Sequence, residues 1–152
     1  MPRPFAEATI DIDAPLARVW AVMLDFPRYG EWNPFIVRAE LTGPPQIGAA
    51  LRLQVRWHDG TGATSGERIT ELTPPTRLVY RFTGPLHTLG LVRATRVQRL
   101  EPLPNDRTRY ITREDFNGLL TAALPLAKIR DGFTRHARAL KSRAETLDPR
   151  PE

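Results

Sequence analysis

The chain contains no cysteine, which excludes disulfides, thiolate metal sites and thiol nucleophiles together. Lysine is nearly absent too: apart from Lys128 and Lys141, every basic residue is arginine. The formal charge of +5 comes without a dense basic run. Acidic residues interrupt the arginines, as in Arg113-Glu114-Asp115 and Arg130-Asp131, and no aromatic stacking platform accompanies them, so no nucleic-acid partner is expected. No apolar run approaches the roughly 20 residues that span a bilayer, and no stable membrane association is expected. The opening Met-Pro-Arg-Pro-Phe lacks the apolar core of a secretory signal, so the expected location is cytoplasmic. Neither a Gly-x-Gly-x-x-Gly run, a P-loop nor a serine nucleophile elbow occurs, which argues against nucleotide binding and covalent catalysis. His58, His87 and His136 are too dispersed to suggest a metal centre, and neither metal nor cofactor is expected.

What remains is a chain of 152 residues, 41% hydrophobic and 26% charged, with no linker, repeat or low-complexity segment. Residues 1–152 therefore read as one globular domain with a core of its own. Its longest periodic stretch is the last. Leu126, Ile129, Phe133, Ala137, Leu140, Ala144 and Leu147 recur at helical spacing, and arginines and Lys141 occupy the opposite face. Such a helix, roughly 33 Å long at about 1.5 Å per residue, needs a sheet to cover its apolar stripe.

The preceding chain supplies one. Ala8 to Asp13 alternates as a half-buried strand. Pro15 then opens a short amphipathic helix carrying Leu16, Val19, Trp20, Met23 and Leu24, and a second helical turn runs from Arg28 to Asn33. From Phe35 onward the pattern is β: strands over 35–41, 51–57, 65–72, 78–83, 91–100 and 107–116, with Leu86 to Gly90 read as a loop. A block of short-looped strands with helices at its ends is the α+β pattern, an antiparallel meander whose edge is joined by the first strand.

Several motifs along this path resemble one family. They are Ile10-Asp11-Ile12-Asp13-Ala14-Pro15, Val19-Trp20, Asp25-Phe26-Pro27-Arg28-Tyr29, Trp32-Asn33-Pro34-Phe35, Leu72-Thr73-Pro74-Pro75, Leu100-Glu101-Pro102 and Glu114-Asp115-Phe116-Asn117-Gly118-Leu119-Leu120. The resemblance is to the START-like (SRPBCC) superfamily, in its polyketide cyclase/dehydrase and lipid-transport branch, and it covers essentially the whole chain. It implies a helix-grip fold: a seven-stranded antiparallel sheet wrapped around the C-terminal helix, with two short helices after the first strand. It also implies a cavity between sheet and helix for a hydrophobic small molecule. Such a fold does not choose between carrier, cyclase and protein-interaction module.

The last two strands hold the informative residues. A turn centred near Asn105 pairs positions summing to about 210: Leu100 with Tyr110, Gln98 with Thr112, Arg96 with Glu114, Ala94 with Phe116. Leu100, Tyr110 and Phe116 on one face point that face inward, and with it Arg96, Gln98, Thr112 and Glu114. Polar groups on an apolar wall need partners, and an Arg96–Glu114 pair is the expected solution, either structural or ligand-binding. Trp32, Trp57, Tyr80 and Phe133 join Tyr110 and Phe116 as aromatic candidates for the wall. If the protein is an enzyme, Glu114 is the candidate general acid/base, helped by Arg96 or Tyr110. Whether it is one, and whether it is a monomer or a homodimer, the residues leave open.

Overall fold

The computed structural model describes residues 3–146. Seven strands form one antiparallel sheet in the order β1-β7-β6-β5-β4-β3-β2. They are β1 (Phe5–Ile12), β2 (Ile36–Leu41), β3 (Ala50–Arg56), β4 (Gly62–Thr73), β5 (Arg77–Phe82), β6 (Arg93–Leu103) and β7 (Arg107–Asn117). Between β1 and β2 lie α1 (Leu16–Leu24), a 3-10 turn (Phe26–Arg28) and α2 (Tyr29–Trp32). Short α3 (Pro85–Thr88) precedes β6, and α4 (Leu126–Thr146) ends the described chain; Leu147, placed by periodicity at the end of the helical stripe, lies outside it. The fold is the helix-grip arrangement, β2 to β7 forming the meander and β1 closing its far edge.

One reading needs correction. Residues 86–90, read as a loop, begin within a helical turn, because Pro85 occupies the first helical position after Gly84 and pre-sets its backbone angle. Pro15 also sits one place earlier than expected, capping α1 rather than beginning it.

The β6–β7 hairpin has the anticipated register, with Arg96 opposite Glu114 and Leu100 opposite Tyr110. Asn105 and Asp106 both adopt positive φ, 64° and 59°, a conformation that Asn and Asp tolerate and that lets the turn close there.

Helix α4 buries Ile129, Phe133, His136, Ala137, Leu140 and Ala144. It also ties together the two edges of the curled sheet. Arg130 Nη2 donates to the Phe5 carbonyl and Lys141 Nζ to the Asp11 carbonyl of β1, 3.4 and 3.0 Å away. From the other flank, Arg135 donates to the carbonyls of Pro34 and Arg56, at 3.0 and 2.9 Å, beside β2 and β3. Edge strand β1 on one flank, and the segment before β2 with the end of β3 on the other, thus accept hydrogen bonds from one helix.

Gly132 lets this helix come close. A methyl group there would overlap the ring of Phe35, itself packed against Trp57 and Phe133 with ring centroids 5.7 and 6.0 Å away. Among the described residues, no helix is long and apolar enough to cross a membrane.

Candidate functional site

Between the sheet and the first half of α4 lies a cavity of about 310 Å³. Its wall is almost wholly apolar, with Leu53 and Val55 from β3, Phe82 from β5, Ala94 from β6 and Ile129 from α4. Four of the expected aromatic residues, Trp57, Tyr80, Phe116 and Phe133, line it as well. The volume is roughly twice that of an engineered cavity of about 150 Å³ that admits benzene, so a bicyclic ring system or a folded short chain matches its size.

Three charged side chains reach this wall: Arg96, Glu114 and Glu67. Arg96 is 2% exposed. Its Nε donates to Thr112 Oγ1 at 2.9 Å, and its Nη1 donates to Tyr80 Oη at 3.0 Å. The plane of the guanidinium is held by the Phe133 ring, whose centroid lies 4.3 Å from Cζ. Nη2 has no partner.

Arg96 and Glu114 face each other in register, but the guanidinium does not pair with the carboxylate; two neutral hydroxyls hold it instead. The expected pair is thus a pair in backbone register only. Tyr80 lies directly opposite Arg96 on β5, and Thr112, the register partner of Gln98, is its diagonal neighbour on β7.

Gln98, Tyr110 and Thr112 lie behind the wall. Tyr110 Oη donates to Gln98 Oε1 at 2.6 Å, and Gln98 Nε2 donates to Tyr80 Oη at 3.3 Å. This chain ends on the arginine's own partner, so its geometry fixes Tyr80 and through it Arg96. Trp32 stands further off, its ring 5.0 Å from Tyr29 and 5.9 Å from His136.

Glu67 went unremarked in the sequence, yet it is 7% exposed and lines the cavity. Ser65 Oγ donates to its Oε1 at 2.6 Å, while Oε2 has no partner among the described residues. Burial pushes its pKa up to about 8, aided by the negative charge of Glu114 and opposed by Ser65 and Arg96. Glu114, half-buried on the wall, is raised by desolvation to about 7, with Arg96 pulling the other way and Asp115 adding to the rise. For both carboxyls desolvation outweighs the nearby cation, so near neutral pH the cavity holds one permanent positive charge and two groups able to exchange protons.

His136 is the other buried polar group that sequence reading undervalued. It is fully buried, stacks on the Tyr110 ring at 5.9 Å and meets Asn33 Nδ2 through Nδ1 at 2.9 Å. Asn33 Oδ1 accepts from the amides of Phe35 and Ile36, which leaves its Nδ2 as donor and makes Nδ1 of the histidine the acceptor. Burial, then the Arg96 charge, holds its pKa well below the ordinary value, so it is a neutral strut between α4 and the start of β2. His58 and His87 lie in other elements, the β3–β4 turn and α3.

Comparison with known proteins agrees with this architecture. The family model for polyketide cyclase / dehydrase and lipid transport matches residues 5–145. Among solved structures, the Zhui aromatase/cyclase from Streptomyces sp. R1128 is similar with a TM-score of 0.78 at 21% identity, covering 95% of this chain and 94% of that one. A START superfamily protein from Mycobacterium smegmatis is similar with a TM-score of 0.73 at 20% identity, covering 95% and 99%. The di-domain ARO/CYC BexL from the BE-7585A biosynthetic pathway gives 0.66 at 21% identity, covering 96% of this chain and 51% of that one. At these identities the likeness is one of fold. No curated protein matches the sequence.

Proposed function

We propose that this chain, which belongs to the polyketide cyclase / dehydrase and lipid transport family, acts as a single domain that encloses an apolar or aromatic small molecule between its sheet and α4. The observation that carries this reading is the cavity itself. About 310 Å³ of apolar-walled space persists where a sheet packed on a helix would otherwise be filled to the density of an organic crystal. Its three charged side chains give the space a polar side, the usual division between apolar walls that supply affinity and few polar groups that orient.

Native mass spectrometry of freshly purified protein against its denatured mass tests this reading. A co-purified small molecule, or uptake of one from a panel of fatty acids, quinones and aromatic polyketides, is the expected result. A protein that stays empty throughout would overturn it and favour a protein-interaction module, a reading that otherwise calls for a filled core.

A second reading has its own support. Glu114 lies on the cavity wall with a pKa of about 7, where a carboxyl can both accept and return a proton at neutral pH, and aromatase/cyclases share the fold. In a cofactor-free cyclase or dehydratase the cavity would fold the substrate, Glu114 would move protons and Arg96 would stabilise a developing oxyanion. Tyr110 is less suited to help, since its hydroxyl is committed to Gln98 behind the wall. Glu114→Gln separates the readings: an enzyme loses turnover by about a hundredfold or more, while a carrier keeps its affinity for apolar ligands.

A further inference from the structure

We propose that the Arg96 side of the cavity is a recognition site for a carboxylate borne on an apolar body about two rings in size. The ligand seats its carboxylate on the free Nη2 of Arg96, and the Glu67–Glu114 pair takes up a proton from solvent as it does so. This inference rests on the reading that the cavity encloses an apolar small molecule, and it names the chemistry of the ligand's polar end.

The argument begins with the arginine. A buried guanidinium normally pairs with a carboxylate, because an isolated buried cation is costly. Among the described residues Arg96 forms no ion pair, although two carboxylate side chains line the same cavity. Two of its nitrogens are held by the neutral hydroxyls of Thr112 and Tyr80, and its face rests on Phe133. The plane is fixed, and the nitrogen left over belongs to a residue of the cavity wall. An anion there meets a donor that has no protein partner to give up.

The two glutamates decide which anion, and in what protonation state. The titratable and charged groups that act on them are Tyr80 from β5, Arg96 from β6 and, on Glu114, its neighbour Asp115 on β7, and Glu114 itself acts on Glu67. The side chains that β3 and the first half of α4 turn to the cavity, Leu53, Val55, Ile129 and Phe133, are apolar. Among the described residues that line the cavity, Arg96 is thus the only fixed charge, and desolvation favours the neutral form of both carboxyls. A protonated Glu67 can donate from Oε2, which has no partner, whereas an ionised one would repel the ligand.

A ligand ammonium is the worse match, since it would share a desolvated space with a guanidinium that cannot lose its proton. A phosphate fits less well, for it brings a second negative charge to a single cation. The site therefore suits one negative charge, and binding it favours protonation of the neighbouring carboxyls.

Isothermal titration calorimetry of the full chain with three matched probes tests the proposal: naphthalene carboxylate, naphthalene methanol and naphthalene methylamine. The carboxylate is expected to bind the wild type at least about tenfold more tightly than the alcohol, a difference of about 1.4 kcal/mol. Arg96→Gln should erase that preference while keeping affinity for the alcohol. Glu114→Gln should keep the preference, yet lower the proton uptake read at about pH 7.5 from binding enthalpies in buffers of different ionisation enthalpy. Should Arg96→Gln fail to fold, the wild-type ranking of the three probes and the Glu114→Gln proton count decide. Equal binding of carboxylate and alcohol, tighter binding of the amine, or carboxylate binding without proton uptake would each overturn the inference and leave the enclosed-ligand reading standing. If no naphthalene probe binds, the inference fails, and the enclosed-ligand reading is then decided by the wider ligand panel.

Discussion

Glu67 carries an acid–base consequence that does not depend on any ligand. Folded Glu67 keeps its proton up to about pH 8, whereas the unfolded chain releases it near 4.5. The native state therefore binds more protons across that window, and stability falls as pH rises through it. Glu114, raised to about 7, adds to the same slope over a narrower range. Glutamine at position 67 keeps an oxygen to accept from Ser65 Oγ and removes the ionisation. Glu67→Gln should leave stability at about pH 4 nearly unchanged and raise it at about pH 8 by an amount on the order of a few kcal/mol, flattening the profile between. Urea titrations of both proteins at the two pH values measure this. A parallel pH profile for the variant would mean that Glu67 ionises freely. Arg96 shows why such a residue resists reading from sequence. Its register partner was legible from the hairpin turn, but its hydrogen-bond partners were not, because they depend on which neighbouring strand offers the nearer hydroxyl.

At the scale of the element, α4 and β4 teach opposite lessons. Periodicity located α4 because its apolar residues fall on one stripe, but Gly132 within it looks like a weakness, costing about 1 kcal/mol of helix propensity relative to alanine. Its role is visible only in the packing: the Phe35 ring occupies the space a side chain would need. Gly132→Ala should therefore destabilise the protein despite the better propensity. Overpacking costs typically about 1–3 kcal/mol, so a net loss of about 1 kcal/mol is expected, read as a lower urea midpoint. A gain would show that Phe35 moves aside freely. In β4, Ile69 and Leu72 are three positions apart, which in a regular strand puts them on opposite faces. A bulge between Ile69 and Glu71 shifts the register there, and the strand's alternation with it. Without knowing of the bulge, no alternation of apolar residues assigns a face to Glu67, so the site's second carboxyl stayed hidden. The β6–β7 hairpin has an unbroken register and a recognisable turn, and its inner face could be read in full.

The whole molecule keeps its hollow at an energetic cost. Cavities lower stability by about 24 cal/mol per Å³, so a space of 310 Å³ represents several kcal/mol forgone relative to a filled core, on the order of 7 kcal/mol. The fold tolerates this because the walls are braced from outside the space. Helix α4 ties β1 on one flank to the starts of β2 and the end of β3 on the other, and the Tyr110–Gln98–Tyr80 chain stiffens the wall behind Arg96. If the space exists to be occupied, filling it from within should help the empty protein and harm binding. Ala94 is the position for the experiment: it is 7% exposed, lines the cavity and lies on the same face as Arg96, opposite Phe116. Ala94→Leu adds three carbons to that space. Its melting temperature without ligand should equal or exceed that of the wild type, each kcal/mol gained appearing as about 2–4 °C. The wild type, saturated with ligand at about 100 times its Kd, should gain about 2.7 kcal/mol, and the variant should lose most of that gain. Differential scanning calorimetry with and without naphthalene carboxylate reads both quantities. A variant that melts lower when empty would show that the wall cannot yield to a leucine. One that keeps the full ligand shift would place the ligand elsewhere, and the hollow would then need another explanation.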